Sequence, residues 1–136
     1  QLKKTDHFSA ARKRIAERYN KEFEDLPEIR RPICHLHVEH SWHLYVIQLD
    51  LSRLRITRDG FIEALKDEHI GASVHFMPLH LHPYYRNAFG YRPDDFPHAS
   101  ALFTRIVSLP IYPAMSDEDV RAVIRAVRTI IAQNRR

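Results

Sequence analysis

One cysteine and only three glycines stand in this 136-residue chain, and each shortage closes a route. With Cys34 alone there is no internal disulfide, which fits a reducing, cytoplasmic setting. Three glycines are too few for a β-sandwich with its many tight turns, or for a glycine-rich loop that cradles phosphate. No apolar run approaches the roughly 20 residues needed to cross a bilayer, so no membrane partner is expected. No basic leader followed by an apolar stretch marks a secretion signal. Methionine is missing from position 1, and Gln1 ahead of an amphipathic pattern is expected of a chain that starts inside a longer protein.

What is present is globular. Apolar residues make 44% of the chain and charged residues 28%, a balance that suits one domain with a modest core. The formal net charge is +4, and the positive charge gathers at one end. After Asp119 come Arg121, Arg125, Arg128, Arg135 and Arg136, with no acid among them. Such an end suits nucleic acid or a membrane surface, or else the solvated face of a terminal helix, whose C-terminus favours cations. Aromatic side chains do not alternate with these arginines as single-strand binding requires. The helix face is therefore preferred, and no nucleic-acid partner is expected.

Apolar spacing sets the element order. Phe8, Ala11, Ile15, Tyr19, Phe23 and Leu26 recur at three- and four-residue steps, which predicts a long helix over 1–26, capped by Thr5 and ended by Pro27. Residues 27–41 are rich in Pro and His and read as loop. A body over 42–136 follows. Residues 44–51 read as a buried strand. Thr57 caps a second helix with Phe61, Ile62, Leu65 and Ile70 inward and Gly71 at its end. Residues 72–77 read as a second strand and 78–95 as a long loop, a length that is usually functional inside a compact domain. Pro97 opens a third helix with Ala99, Leu102, Phe103 and Ile106 inward, and 106–109 is a third strand. Ser116 opens a fourth helix with Val120, Val123, Ile124, Val127, Ile130 and Ile131 inward. The expected fold class is α/β, built as two α+β layers: a small three-stranded sheet with helices mainly on one face. The sheet is left as antiparallel or mixed, because periodicity does not decide strand direction.

Ten histidines invite a metal reading. His35-x-His37, His40-x-x-His43 and His80-x-His82 each have a spacing that could share one face. No second cysteine, HExxH pattern or paired carboxylates completes a ligand set. Ser41, Ser73 and Cys34 lie near histidines in sequence, but none sits in a nucleophile elbow. From the residues alone no catalytic constellation is complete. What stands out is a Pro- and Tyr-rich loop carrying His75, His80, His82, Tyr84, Tyr85 and Arg86, suited to an anionic or polar ligand at a boundary between bodies.

Three pieces carry a resemblance: SWHLYVIQLD at 41–50, RDGFIEALKDEHIGASVHFMPLHLHPYY at 58–85, and LPIYPAMSDEDV at 109–120. With the Phe96-Pro97 pair between them, they resemble the C-terminal part of the DegT–DnrJ–StrS-type sugar aminotransferases. The resemblance implies that residues 1–136 form the C-terminal small domain of a fold type I enzyme dependent on pyridoxal phosphate (PLP). It implies transfer of an amino group from glutamate to a keto-sugar nucleotide in amino-sugar or surface polysaccharide biosynthesis, in a homodimer. The PLP-binding domain with its lysine would lie upstream, so this chain alone would be inactive. Its own five lysines (Lys3, Lys4, Lys13, Lys21, Lys66) sit on predicted helices or chain ends. By the same resemblance His80 contacts substrate, and His75 and Tyr84 line the same mouth. His43 and Tyr45 support the domain, with His43 able to face the cleft. Ser100 departs from the family, which often has Glu there, and the His35-Leu36-His37 stretch has no family counterpart. The sugar and its ring position stay open, as does the relation to lysine-lacking relatives that act as dehydratases or regulators. The competing readings are a stand-alone basic module for nucleic acid and a His-rich metal-binding domain.

Overall fold

The computed structural model describes residues 2–136, so the start of the lead-in helix at Gln1 lies outside the described residues. Eight regular elements follow in order. They are α1 (Thr5–Glu22), β1 (Ile29–Arg30), β2 (Tyr45–Leu49), α2 (Arg58–Asp67), α3 (Pro83–Phe89), α4 (Pro97–Phe103), β3 (Ile106–Leu109) and α5 (Asp117–Asn134). Short 3-10 turns cover Leu2–Lys4, Leu79–Leu81 and Pro93–Asp95. Among the described residues no helix is long and apolar enough to cross a membrane.

The sheet runs β1-β2-β3 and is antiparallel throughout, with Ile29 opposite Leu49, Tyr45 opposite Leu109 and Ile47 opposite Val107. Those six residues face one way, because side chains alternate along a strand. All are buried in a single apolar cluster with α1, α2 and α5. This is the expected two-layer α/β arrangement, a small three-stranded sheet with helices mainly on one face.

Capping chemistry places two helices where the sequence predicts. The Thr57 hydroxyl accepts from the Gly60 amide at 3.1 Å and starts α2. Ser116 and Asp119 form a capping box at the start of α5, with the Ser116 amide donating to the Asp119 carboxylate at 2.8 Å. All six residues expected to face inward on α5 are buried.

Five expectations are corrected. Helix α1 begins after Lys4 with no side-chain cap and ends at Glu22, although turns carry Phe23 and Leu26 on into the core. Strand β1 lies in the stretch expected as loop, since a two-residue strand is too short to show any period. Helix α2 ends at Asp67, where His69 takes the left-handed turn (φ 59) expected of Gly71. Residues 72–77 make a single bridge, Ser73 to Ser108, rather than a strand. Phe76 and Met77, 75% and 45% exposed, leave no buried face to hold a longer pairing. Helix α4 also buries none of its residues; Leu102 and Ala99 are exposed, while Phe103 lies under the Arg58 guanidinium at 4.9 Å.

The arginines of the C-terminal end are occupied within the chain. Arg121 and Arg125 both reach Glu118, Arg135 reaches the buried Glu28 at 2.8 Å, and Arg136 donates to the Leu54 carbonyl. Arg128 grips Asp25 with two parallel bonds of 2.7 Å and fastens α5 to the turn after α1.

That grip, through the Arg128 hydrogen bond first, lowers the Asp25 carboxyl from 3.8 to about 2. The folded state resists protonation more than the unfolded one, so the stability is present above 3.8 and lost as pH falls toward about 2. Asp25→Asn is expected to be less stable than the parent at neutral pH and to match it near pH 2, as read by denaturant midpoints at the two pH values.

Candidate functional site

Because β2 and β3 are antiparallel neighbours, the residues entering β2 and those leaving β3 meet at one end of the sheet. The Ser73–Ser108 bridge brings the chain after α2 to the same end. The result is a cleft of about 210 Å³ lined by His43, Leu44, 71–73, His75 and 108–111. It gathers pieces of all three stretches singled out in the sequence.

Each wall has a local cause. Trp42 is buried in a left-handed conformation (φ 49), and its amide donates to the His40 ring at 2.8 Å. This turn leaves Trp42 in the core and His43 outside it. The Tyr45 hydroxyl donates to Asn20 at 2.7 Å, and the Tyr19 hydroxyl donates to the Pro110 carbonyl at 2.9 Å. Burial pushes both phenols well above their usual value, so both stay protonated donors.

The sequence-predicted residues separate. His75 lines the cleft, and its Nδ1 lies 2.9 Å from the hydroxyl of the buried Ser108. His80 and Tyr84 belong to a different body. Expected as a loop side chain in contact with substrate, His80 is 5% exposed. Its Nε2 lies 2.9 Å from the Ser100 hydroxyl, and its ring lies on Phe96 at 4.7 Å. Tyr84 stands on α3, 69% exposed, at the head of an aromatic chain through Tyr85, Phe89 and Tyr91 to Phe96. The structure therefore joins His75 to His43 rather than to His80.

Ser108 was missed, and Ser73 and Ser100 were noted without the partners they take here. For Ser108 a signal existed: a hydroxyl in the apolar strand Ile106–Leu109 needs a buried partner. Ser100 gave none, since its histidine lies 20 residues away. A larger open hollow of about 640 Å³ lies beside β1 and α4, lined by Arg30, Gln48, Asp50 and Arg105 among others. It holds no histidine and only the edge of the matched pieces, so its size does not make it the better candidate. Among the described residues no three His, Cys, Asp or Glu converge to hold a metal. All five lysines are exposed and none lines the cleft; Lys66 pairs with Glu63 at 3.1 Å.

Comparison with known proteins bears on the same pieces. A model of the DegT/DnrJ/EryC1/StrS aminotransferase family matches residues 1–128. The spore coat polysaccharide biosynthesis protein SpsC of Bacillus subtilis is 49% identical over 132 residues, 96% of this chain and 34% of its own length. Among solved structures, PseC of Helicobacter pylori, an aminotransferase involved in the biosynthesis of pseudoaminic acid, superposes with a TM-score of 0.89. It is 25% identical, over 98% of this chain and 35% of its own. Spr1654 of Streptococcus pneumoniae in its PLP form gives a TM-score of 0.88 at 29% identity, over 98% and 33%. The chain thus spans about a third of the length of these relatives.

The His75–Ser108 contact is testable by a double-mutant cycle. His75→Ala and Ser108→Ala are each expected to lower unfolding free energy by about 1 kcal/mol, with the double variant short of the sum by a similar amount. Strict additivity in urea denaturation would mean that the two side chains do not interact.

Proposed function

The chain belongs to the DegT/DnrJ/EryC1/StrS aminotransferase family, and on that premise we propose that it is the C-terminal domain of a PLP-dependent sugar aminotransferase. The full protein would move an amino group from glutamate to a keto-sugar carried on a nucleotide, as a cytoplasmic homodimer serving surface polysaccharide synthesis. One observation carries this reading. The three stretches that resemble the family are far apart in sequence and meet in one cleft. Chance similarity in three places has no reason to converge in space.

The residues take distinct parts. His75, with His43 beside it, lines the cleft and offers ring nitrogens to the hydroxyls of a sugar. We assign Tyr84, exposed on α3, to the mouth, where its phenol and ring face would meet the ligand. His80, expected by resemblance to touch substrate, is buried, and we place it one layer back.

When bound, PLP supplies the electron sink for amino transfer. The residues of this chain do not fit the anchoring of that group. A Schiff-base lysine needs a sheltered site, and every lysine here is exposed and away from the cleft. The anchor belongs to the two thirds of the protein that this chain does not span. The arginines that suggested a nucleic-acid module are engaged by Glu118, Asp25, Glu28 and the Leu54 carbonyl, so no specific observation favours that alternative.

Two measurements test the reading. The full-length protein, given glutamate and a nucleotide-linked keto-sugar, is expected to release 2-oxoglutarate and the amino-sugar; a full-length protein that neither absorbs as a PLP imine nor transfers an amino group overturns it. The isolated chain mixed with stoichiometric PLP is expected to show no imine band, and a borohydride-trapped lysine adduct within residues 1–136 would show that the anchor is here after all.

A further inference from the structure

Between Phe76 and Arg105 one side chain is buried, and it is a histidine. This stretch contains the Leu79–Leu81 turn, α3, the Pro93–Asp95 turn and α4, and none of its other side chains enters a core. Its backbone hydrogen bonds are local. Leu81 bonds to Pro78, Arg86 to His82, Gly90 to Arg86 and Phe96 to Pro93. Among the described residues no backbone bond joins 76–104 to the sheet. The segment is an arm, and something other than a strand or a core must fix its shape.

His80 meets that need through a chain of two bonds. Its Nε2 lies 2.9 Å from the Ser100 hydroxyl, and that hydroxyl lies 2.8 Å from the Pro93 carbonyl oxygen. The carbonyl can only accept, so the one hydroxyl proton goes to it. Ser100 must then accept from His80, which fixes the ring as the Nε2–H form. The two bonds join the first turn of the arm, its second turn and the middle of α4. Phe96 closes the ring face at 4.7 Å, and from Phe96 the aromatic contacts run back through Tyr91 and Phe89 to Tyr84.

We propose that His80 is a positioning residue: through Ser100 and Pro93 it sets where the aromatic arm 79–96 lies, and so where Tyr84 stands at the substrate mouth. The second half of this statement rests on the aminotransferase reading; the first does not. Glutamine carries an N–H donor at a reach close to that of Nε2, whereas alanine carries none, so the two substitutions separate a donor from mere bulk.

The test uses the full-length protein with His80→Ala, Ser100→Ala and His80→Gln, followed by hydrogen exchange and by steady-state kinetics. In His80→Ala and Ser100→Ala the amides of 81–96 are expected to exchange about ten-fold faster while those of β2 and β3 keep their rates. KM for the keto-sugar nucleotide is expected to rise about ten-fold with kcat within about two-fold. His80→Gln is expected to restore both. Arm exchange unchanged in His80→Ala overturns the proposal, as does a His80→Gln variant no better than His80→Ala. A fall in kcat with a quiet arm also overturns it, by making His80 a direct substrate contact. If His80→Ala does not fold, the other two variants decide alone. An arm that loosens and is rescued in a protein without aminotransferase activity upholds the latch and removes the functional reading.

Discussion

The Tyr19 hydroxyl, donating to the Pro110 carbonyl across 91 residues of chain, is the contact on which the rest depends. A fully buried phenol must find an acceptor, and a carbonyl at the exit of β3 must find a donor. The next residue of the same helix, Asn20, takes the hydroxyl of Tyr45 at the start of β2. Two successive positions on α1 therefore hold two neighbouring strands at the same end of the sheet. The rings reinforce the bonds, with Tyr19 meeting Tyr45 edge-on at 5.0 Å and Phe23 stacked on Tyr19 at 5.7 Å. The cleft forms where it does because α1 fastens both of its walls.

The molecule contains two kinds of order. The body around the sheet is held by apolar burial, which is strong, non-directional and spread over many side chains. The arm from Phe76 to Arg105 has almost none of that, and its shape depends on directional contacts. Histidine and serine make the contact at both ends: His75 with Ser108 where the chain leaves the sheet, and His80 with Ser100 inside the arm. A few such bonds define a position without adding much stability, since each is worth about 1 kcal/mol net. That suits a segment whose task is placement.

Legibility followed the same division. Where burial or capping governs, the sequence spoke clearly. The stripe of α5, the Thr57 and Ser116 caps and the strands near 44–51 and 106–109 all stand as read. Where one hydrogen bond or two residues decide, it was silent. Strand β1 is too short for a period, Ser73 makes one bridge in place of a strand, and α4 carries an apolar stripe that meets no core. For the candidate site, resemblance pointed to stretches that meet in one cleft, and the side chains sorted themselves only in three dimensions. His75 went to the cleft and His80 to the inside of the arm, because a partner 20 or 33 residues away leaves no mark on local sequence.

The lining of the cleft limits what this domain can do by itself. His43, Ser73, His75 and Ser108 offer ring nitrogens and hydroxyls, and the remaining lining residues are apolar or glycine. No amine and no carboxylate is among them. Such a surface can orient a polyhydroxylated ligand, since each hydroxyl both donates and accepts. Carrying an amino group would take a nucleophilic amine or an electron sink within reach, which this lining does not itself supply. Binding groups here and reactive groups elsewhere are what a chain spanning about a third of its relatives' length would hold if recognition and chemistry were divided between domains. The exposed aromatic residues Phe76, Tyr84 and Phe89 sit on the arm rather than around the core. Together with Ile33, Leu36 and Val38 on the stretch before β2, they are the apolar area that the rest of a longer chain would have to cover.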